Sequence, residues 1–219
     1  MKKLVIFDLD GTLLNTLPTL AYYVNTALAE IGFDAIEEEK YKIFVGNGRD
    51  LLLHRALNHY GADTDENYIK AGRLFDAGYN SDVLYLTEPY DGIYELLKKL
   101  KESGITLAIM SNKPHEFTIP IAKKKFPKIF SEVWGKKKDF ATKPNPAAAL
   151  EICKNLNISP SDTVFIGDTS VDIETGKNGG FYTIGAEWGF RSRNELFDAG
   201  ADFIASSPLD VLNAPIFKE

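Results

Sequence analysis

The chain carries one cysteine, Cys153, with two methionines, two tryptophans and three histidines among 219 residues. A lone cysteine excludes an internal disulfide framework and any thiolate-based zinc site. Ala149, Leu150, Cys153 and Leu156 recur at helical spacing, so Cys153 reads as a small buried hydrophobe. The histidines, His54, His59 and His115, show no metal-ligand spacing with carboxylates and read as structural or surface groups. No apolar run approaches the ~20 residues of a membrane span. The first such run, Leu4 to Phe7, is broken by Asp8 and is too short for a secretory leader. A cytoplasmic protein without membrane contact is expected. Positive charge is scarce as well. A net charge of −6 argues against general nucleic-acid binding. The basic runs Lys123–Lys125 and Lys136–Lys138 lack interleaved aromatics and read as solvated surface.

Hydrophobic residues make up 44% of the chain, enough for a packed domain, or a domain with an insertion. The most informative stretch is Lys3 to Thr12. The apolar run Leu4–Phe7 stops at Asp8, and Asp10, Gly11 and Thr12 follow. A short apolar run bounded by turn residues fits a strand buried on both faces. Taken alone, Asp-x-Asp-Gly-Thr is also an ordinary polar turn. In open α/β sheets, however, ligands bind beyond the carboxyl ends of the strands, where this pair would lie.

Helical patterning takes over after Thr12. Leu17, Leu20, Val24, Ala27, Leu28 and Ile31 repeat at three- and four-residue steps, with Pro18 in the first turn. Further helices are predicted over Ile36–Phe44, after the Val45-Gly46-Asn47-Gly48-Arg49-Asp50 turn, and over Asp65–Tyr79. No strand pattern interrupts residues 15–84, which reads as an all-helical insertion of roughly 70 residues. Alternation then sets in: helix Ile93–Lys101, strand Ile105–Met110, a helix around Phe117–Ala122, a weak strand Glu132–Gly135, helix Pro146–Leu156, and strands Thr163–Ile166, Phe181–Ile184 and Asp202–Ala205. Alternating strands and helices imply a parallel sheet with right-handed crossovers. The expectation is a Rossmann-like α/β core, residues 1–14 and 85–219, carrying a helical cap, residues 15–84, as a lid above the strand ends. Its hinges would be Leu14–Pro18 and Val83–Glu88.

Four strand ends carry polar groups: Asp8 and Asp10; Ser111 and Asn112; Lys143, beyond the weak strand; and Asp168 and Asp172. Crowded carboxylates at one sheet edge call for a cation, and an oxygen-only donor set favours Mg²⁺. Lys143 offers a point charge, and Ser111 and Asn112 offer donors, for a bound phosphate. A carboxylate nucleophile would divide phosphoester hydrolysis into two steps, and a neighbouring acid, Asp10, would serve leaving group and water in turn.

Asp8-Leu9-Asp10-Gly11-Thr12, Ser111-Asn112, Lys143-Pro144 and Gly167-Asp168-Thr169-Ser170-Val171-Asp172 together resemble the haloacid dehalogenase superfamily of phosphatases, in order and spacing over nearly the whole core. The resemblance implies Asp8 as nucleophile and Asp10 as acid/base. It also implies Mg²⁺ on Asp8, the Asp10 carbonyl and Asp168, with Asp172 in support. Ser111, Asn112, Lys143 and Thr12 would surround the phosphoryl group. The superfamily more often has threonine where this chain has Ser111, which keeps the hydroxyl. Val45-Gly46-Asn47-Gly48, Ser111-Asn112-Lys113-Pro114 and Trp188-Gly189-Phe190 look like the phosphoglycolate phosphatase branch, making 2-phosphoglycolate the first substrate expectation. The same features occur in pyrophosphatase and sugar-phosphate relatives. In the cap, Arg49 would suit a substrate carboxylate, or else face solvent in a first helical turn.

Other functions compete for the same pattern. A phosphomutase would return the phosphoryl group to the substrate. A dehalogenase needs no metal and has no use for Asp10. A non-catalytic phospho-ligand module usually lacks the nucleophile or the acid, and both are present. A dinucleotide-binding domain lacks its fingerprint here, since no Gly-x-Gly-x-x-Gly follows the first strand. The expected partner is a small phosphorylated metabolite, and the expected state is a monomer or small homo-oligomer.

Overall fold

The computed structural model describes residues 2–46 and 48–218. In chain order the elements are β1 (Leu4–Phe7), β2 (Leu14–Asn15), α1 (Leu17–Glu30), α2 (Glu38–Phe44), α3 (Arg49–Asn58), α4 (Asp65–Ser81) and β3 (Glu88–Pro89). They continue with α5 (Ile93–Glu102), β4 (Thr106–Pro114), α6 (His115–Lys125), β5 (Glu132–Lys136), α7 (Ala147–Asn155) and β6 (Thr163–Gly167). The chain ends in α8 (Ser170–Gly179), β7 (Tyr182–Ala186), α9 (Arg193–Asp198) and β8 (Phe203–Ala205). Contacts divide it into a unit running to Asn15 and again from Pro89, and a second unit, Thr16–Glu88.

The first unit is a six-stranded sheet in the order β5-β4-β1-β6-β7-β8, parallel throughout. In sequence rank this is the doubly-wound order 3-2-1-4-5-6 of Rossmann-like proteins. The order reverses between β1 and β6, so the crevice for a ligand opens beyond their carboxyl ends. All four residues of β1 are fully buried, which removes roughly 2 kcal/mol worth of apolar surface per side chain from water. Leu4 and Ile6 pack with Ala149, Ile152 and Cys153 of α7, and with Phe165 of β6. On the alternate position, Phe7 meets Phe130 edge-on with centroids 6.3 Å apart. Cys153 is thus core, as its helical spacing predicts.

Strand register sets which groups meet at the site. Phe7 stands level with Ile109 of β4 and Ile166 of β6. The N–H of Asp8 still donates to the Ile166 carbonyl, at 2.9 Å. One or two residues beyond that level come Asp8, Ser111 and Asp168. The β4 strand is longer than its hydropathy predicts. Its polar end, Ser111-Asn112-Lys113, keeps an extended backbone, and pairing with β5 resumes at Pro114 after an irregularity.

The second unit is built from α1 to α4. Tyr23, Val24 and Ala27 of α1 and Ala71, Phe75 and Tyr79 of α4 are buried, with Tyr23 and Tyr79 edge-on at 5.8 Å. Gly78 makes room for the Tyr23 ring, which a Cβ there would strike. Thr64 caps α4 by accepting from the Asn67 N–H. The Asn25 amide closes the α1–α2 connection, giving and taking one bond with the Ile36 backbone, each 2.9 Å. Residues 85–88 group with these helices because the Thr19 hydroxyl bonds to the Tyr85 carbonyl and the Thr87 hydroxyl. Among the described residues, no helix is long and apolar enough to cross a membrane.

Candidate active site

Asp8, Thr12, Ser111, Lys113, Lys143, Asp168, Thr169 and Asp172 are all buried, an unusual density of polar side chains for a protein interior. Asp8, Ser111, Lys113 and Asp168 lie at strand ends and Thr169 and Asp172 at the start of a helix, while Thr12 lies in the loop after β1. Lys143 lies in the loop before α7, and its ammonium reaches Asp8 Oδ1 and Asp172 Oδ1, both at 2.6 Å. Asp172 sits in the first turn of α8, where its other oxygen accepts from the Thr169 N–H and hydroxyl at 3.1 and 2.7 Å. It therefore serves as both helix cap and partner of Lys143. Asp168 follows β6. Its Oδ1 accepts from the Thr12 hydroxyl at 3.0 Å and its Oδ2 from the Phe190 N–H at 2.9 Å.

Gly11 and Gly189 let these segments close on Asp168. A Cβ on either would run into the Asp168 side chain, and Gly11 also holds φ +91°. The indole N–H of Trp188 donates to the Thr12 carbonyl at 2.9 Å. The Trp188-Gly189-Phe190 turn thus ties the loop after β1 to the end of β6.

Two placements differ from the simplest sequence picture. The Asn112 amide faces the backbone of Lys143, accepting from its N–H at 2.9 Å and donating to its carbonyl at 3.3 Å. Asn112 therefore positions Lys143. The Asp10 carboxylate is gripped by Lys113, whose ammonium lies 2.9 and 3.1 Å from its two oxygens. In the sequence Lys113 stands out only as part of the Ser111-Asn112-Lys113-Pro114 run, and no periodicity signals a pair separated by 103 positions. Ser111 Oγ accepts from the Lys113 N–H at 3.2 Å. Arg49 belongs to the helical unit, where Asp76 binds its guanidinium at 3.0 and 2.7 Å, and Asp50 and Tyr68 add to the set. Asn47, in the adjoining glycine turn, lies outside the described residues.

The electrostatics leave a deficit of positive charge. Asp8, Asp168 and Asp172 cluster together and Asp10 lies on the same loop as Asp8, whereas two ammonium groups pair with them: Lys113 with Asp10, and Lys143 with Asp8 and Asp172. Burial pushes the Asp8 carboxyl up to about 7, with Lys143 opposing and Asp172 adding to the rise. Burial and the charges of Asp172 and Asp8 push Asp168 well above the usual carboxylate range. Lys143, between two carboxylates, is raised and stays charged despite its burial. Oxygens of Asp8, Asp168 and Asp172 lie within 4.8 Å of one another. An all-oxygen set with surplus negative charge fits a divalent cation.

A buried acid cluster at the switch point of a doubly-wound sheet is an arrangement that could hold a divalent cation. The profile of the haloacid dehalogenase-like hydrolases matches residues 5–186. Phosphoglycolate phosphatase of Vibrio parahaemolyticus is 34% identical over 96% of this chain and 94% of its own. That of Mannheimia succiniciproducens is 34% identical over 96% of each chain. A Lactobacillus delbrueckii protein, provisionally named phosphoglycolate phosphatase, superposes with a TM-score of 0.92 at 31% identity over 98% of both chains. The chain belongs to the haloacid dehalogenase-like hydrolases, among their phosphatases.

Proposed function

We propose that the protein is a Mg²⁺-dependent phosphomonoesterase working through an aspartyl-phosphate on Asp8, with 2-phosphoglycolate as its substrate. The single observation that carries the reading is the Lys143 ammonium shared at 2.6 Å by Asp8 and Asp172, beside Asp168. It brings three distant motifs to one point. The names of the relatives support the substrate.

In this reading Asp8 Oδ attacks phosphorus, the P–O bond to the leaving group breaks, and Asp10 protonates the departing oxygen. Water, deprotonated by Asp10, then attacks the phosphoryl group and restores Asp8. Lys143 neutralises charge between Asp8 and the incoming phosphoryl oxygens, and the Ser111 hydroxyl and the backbone after Asp8 supply donors. Asn112 keeps Lys143 in place. Asp8, the Asp10 carbonyl and Asp168 would hold Mg²⁺, with Asp172 in support, and the ion would supply charge stabilisation for the transferring group. The helical unit is assigned the part of a cap that excludes water, with Arg49 as its candidate contact for the substrate carboxylate.

The test is turnover of a panel of small phosphate esters, including 2-phosphoglycolate, pyrophosphate and sugar phosphates, with Mg²⁺ and with a chelator. The reading requires release of inorganic phosphate that the chelator stops and Asp8→Asn abolishes. A variant Asp8→Asn with wild-type turnover would refute it. Transfer of phosphate to a sugar hydroxyl instead of water would identify a mutase.

A further inference from the structure

We infer that Lys113 is a positioning residue for Asp10: it fixes the rotation of the acid/base carboxylate, and its contribution to turnover passes through that carboxylate. The inference rests on the phosphatase reading and deepens it.

Three observations support it. First, both Asp10 oxygens meet one ammonium, at 2.9 and 3.1 Å, so the side chain has a single orientation. Second, the Lys113 side chain is 6% exposed and that of Asp10 is 21% exposed. A buried lysine is costly to maintain, and its charge is retained where a partner satisfies it. Third, the neighbouring side chains of β4 are directed elsewhere. Ser111 Oγ turns back to the Lys113 N–H, and Asn112 turns to the Lys143 backbone. The strand end thus gives Asn112 to the Lys143 loop, whose ammonium in turn meets Asp8, and Lys113 to Asp10. Lys143 performs the corresponding service for Asp8 and Asp172. The two ammonium groups are not duplicates, because each contacts a different carboxylate of the Asp8-Leu9-Asp10 pair.

Such a role has a kinetic signature. Misplacing a catalytic group by about 1 Å costs on the order of 100-fold in rate. The loss should depend on the leaving group, because a well-stabilised alkoxide or phenoxide leaves without an acid. It should vanish once Asp10 itself is removed, since residues acting as a unit are non-additive.

The experiment is a double-mutant cycle of Lys113→Met and Asp10→Asn on the full chain with Mg²⁺. The readout is kcat/KM for an alkyl phosphate and for p-nitrophenyl phosphate, with a thermal melt of each protein. Lys113→Met is expected to lower kcat/KM on the alkyl ester about 100-fold and on p-nitrophenyl phosphate less than about fivefold. Adding Lys113→Met to Asp10→Asn should change nothing beyond about threefold. The double variant, which removes both charges together, keeps the test readable if Lys113→Met alone folds poorly. Multiplicative losses, or equal losses on both esters, would overturn the inference. So would a rise in KM confined to esters that carry a carboxylate, which would make Lys113 a substrate contact. A wild-type protein that hydrolyses neither ester overturns the phosphatase reading and this inference with it. A hydrolysing wild type with an additive cycle overturns this inference alone.

Discussion

Adding Mg²⁺ should raise the melting temperature, and more at high pH than at low pH. In the native protein without a cation, burial holds the Asp8 carboxyl up to about 7, against 3.8 ordinarily. Between these values the native state binds more protons than the unfolded chain, so stability falls as pH rises through that window. The difference of about 3 units corresponds to about 4 kcal/mol, fully lost above about pH 7. A divalent cation needs the ionised carboxylate, so protons and the ion compete. Take Mg²⁺ at about 100 times its dissociation constant at about pH 8, which stabilises by about 2.7 kcal/mol. An unfolding entropy of about 2.1 cal/mol/K per residue gives about 0.5 kcal/mol/K for 219 residues. The expected shift is then about 6 °C. At about pH 5.5, competition by the Asp8 proton on the order of 30-fold leaves about 1 kcal/mol, or about 2 °C. Asp168 is pushed up as well and adds to the contrast in the same direction. Scanning calorimetry at the two pH values, with and without Mg²⁺, measures this directly. Titration calorimetry in two buffers should find more protons released per ion at the lower pH. Equal shifts at both pH values, or a larger one at low pH, would show that these carboxyls are already ionised without the cation, and the electrostatic argument would fail.

Gly11→Ala should cost about 2 kcal/mol and remove most of the Mg²⁺-dependent shift, because the new Cβ meets Asp168 at a positive φ. Gly32→Ala is its control: φ is +90° in open space, so calorimetry should find a smaller loss and an unchanged Mg²⁺ response. Asn112→Ala takes a partner from both backbone groups of Lys143; the expected cost is about 1–3 kcal/mol by urea unfolding, with turnover reduced at least about tenfold. A cap that closes over a phosphate analogue should reduce the radius of gyration in small-angle scattering, whereas superimposable profiles with and without the analogue would argue for a static helical unit.

What the sequence discloses and what it hides divide along physical lines. Asp8 and Asp168 are legible because each ends a short apolar run bounded by turn residues, a pattern that fits an interior strand, and the residues of both runs are almost wholly buried. Lys143 is legible chiefly through its motif; it lies beyond the end of the weak strand β5, with no apolar run leading directly to it. The polar end of β4 is hidden, because Ser111-Asn112-Lys113 has no apolar alternation although the backbone remains extended to Pro114. The two-residue strands β2 and β3 are too short to leave any period at all.

Partner choice is less legible still, since hydropathy reports burial and says nothing about which polar group meets which. Asn112 has donors suited to a phosphate, yet both ends of its amide face the Lys143 backbone. Arg49 suits a carboxylate, and Asp76 supplies one from its own unit. Lys113 and Asp10 meet across 103 positions. In each case the residue's chemistry was visible and its partner was not, because the partner is fixed by sheet order and register. The order 3-2-1-4-5-6 brings β4 and β6 to either side of β1. Every carboxylate on the loop after β1 is then within reach of a group from one flank or the other. A permuted chain that kept all four motifs but placed β4 at the sheet edge would keep the acids and lose the lysine that holds Asp10, so the pairing of Lys113 with Asp10 is a property of topology before it is one of composition.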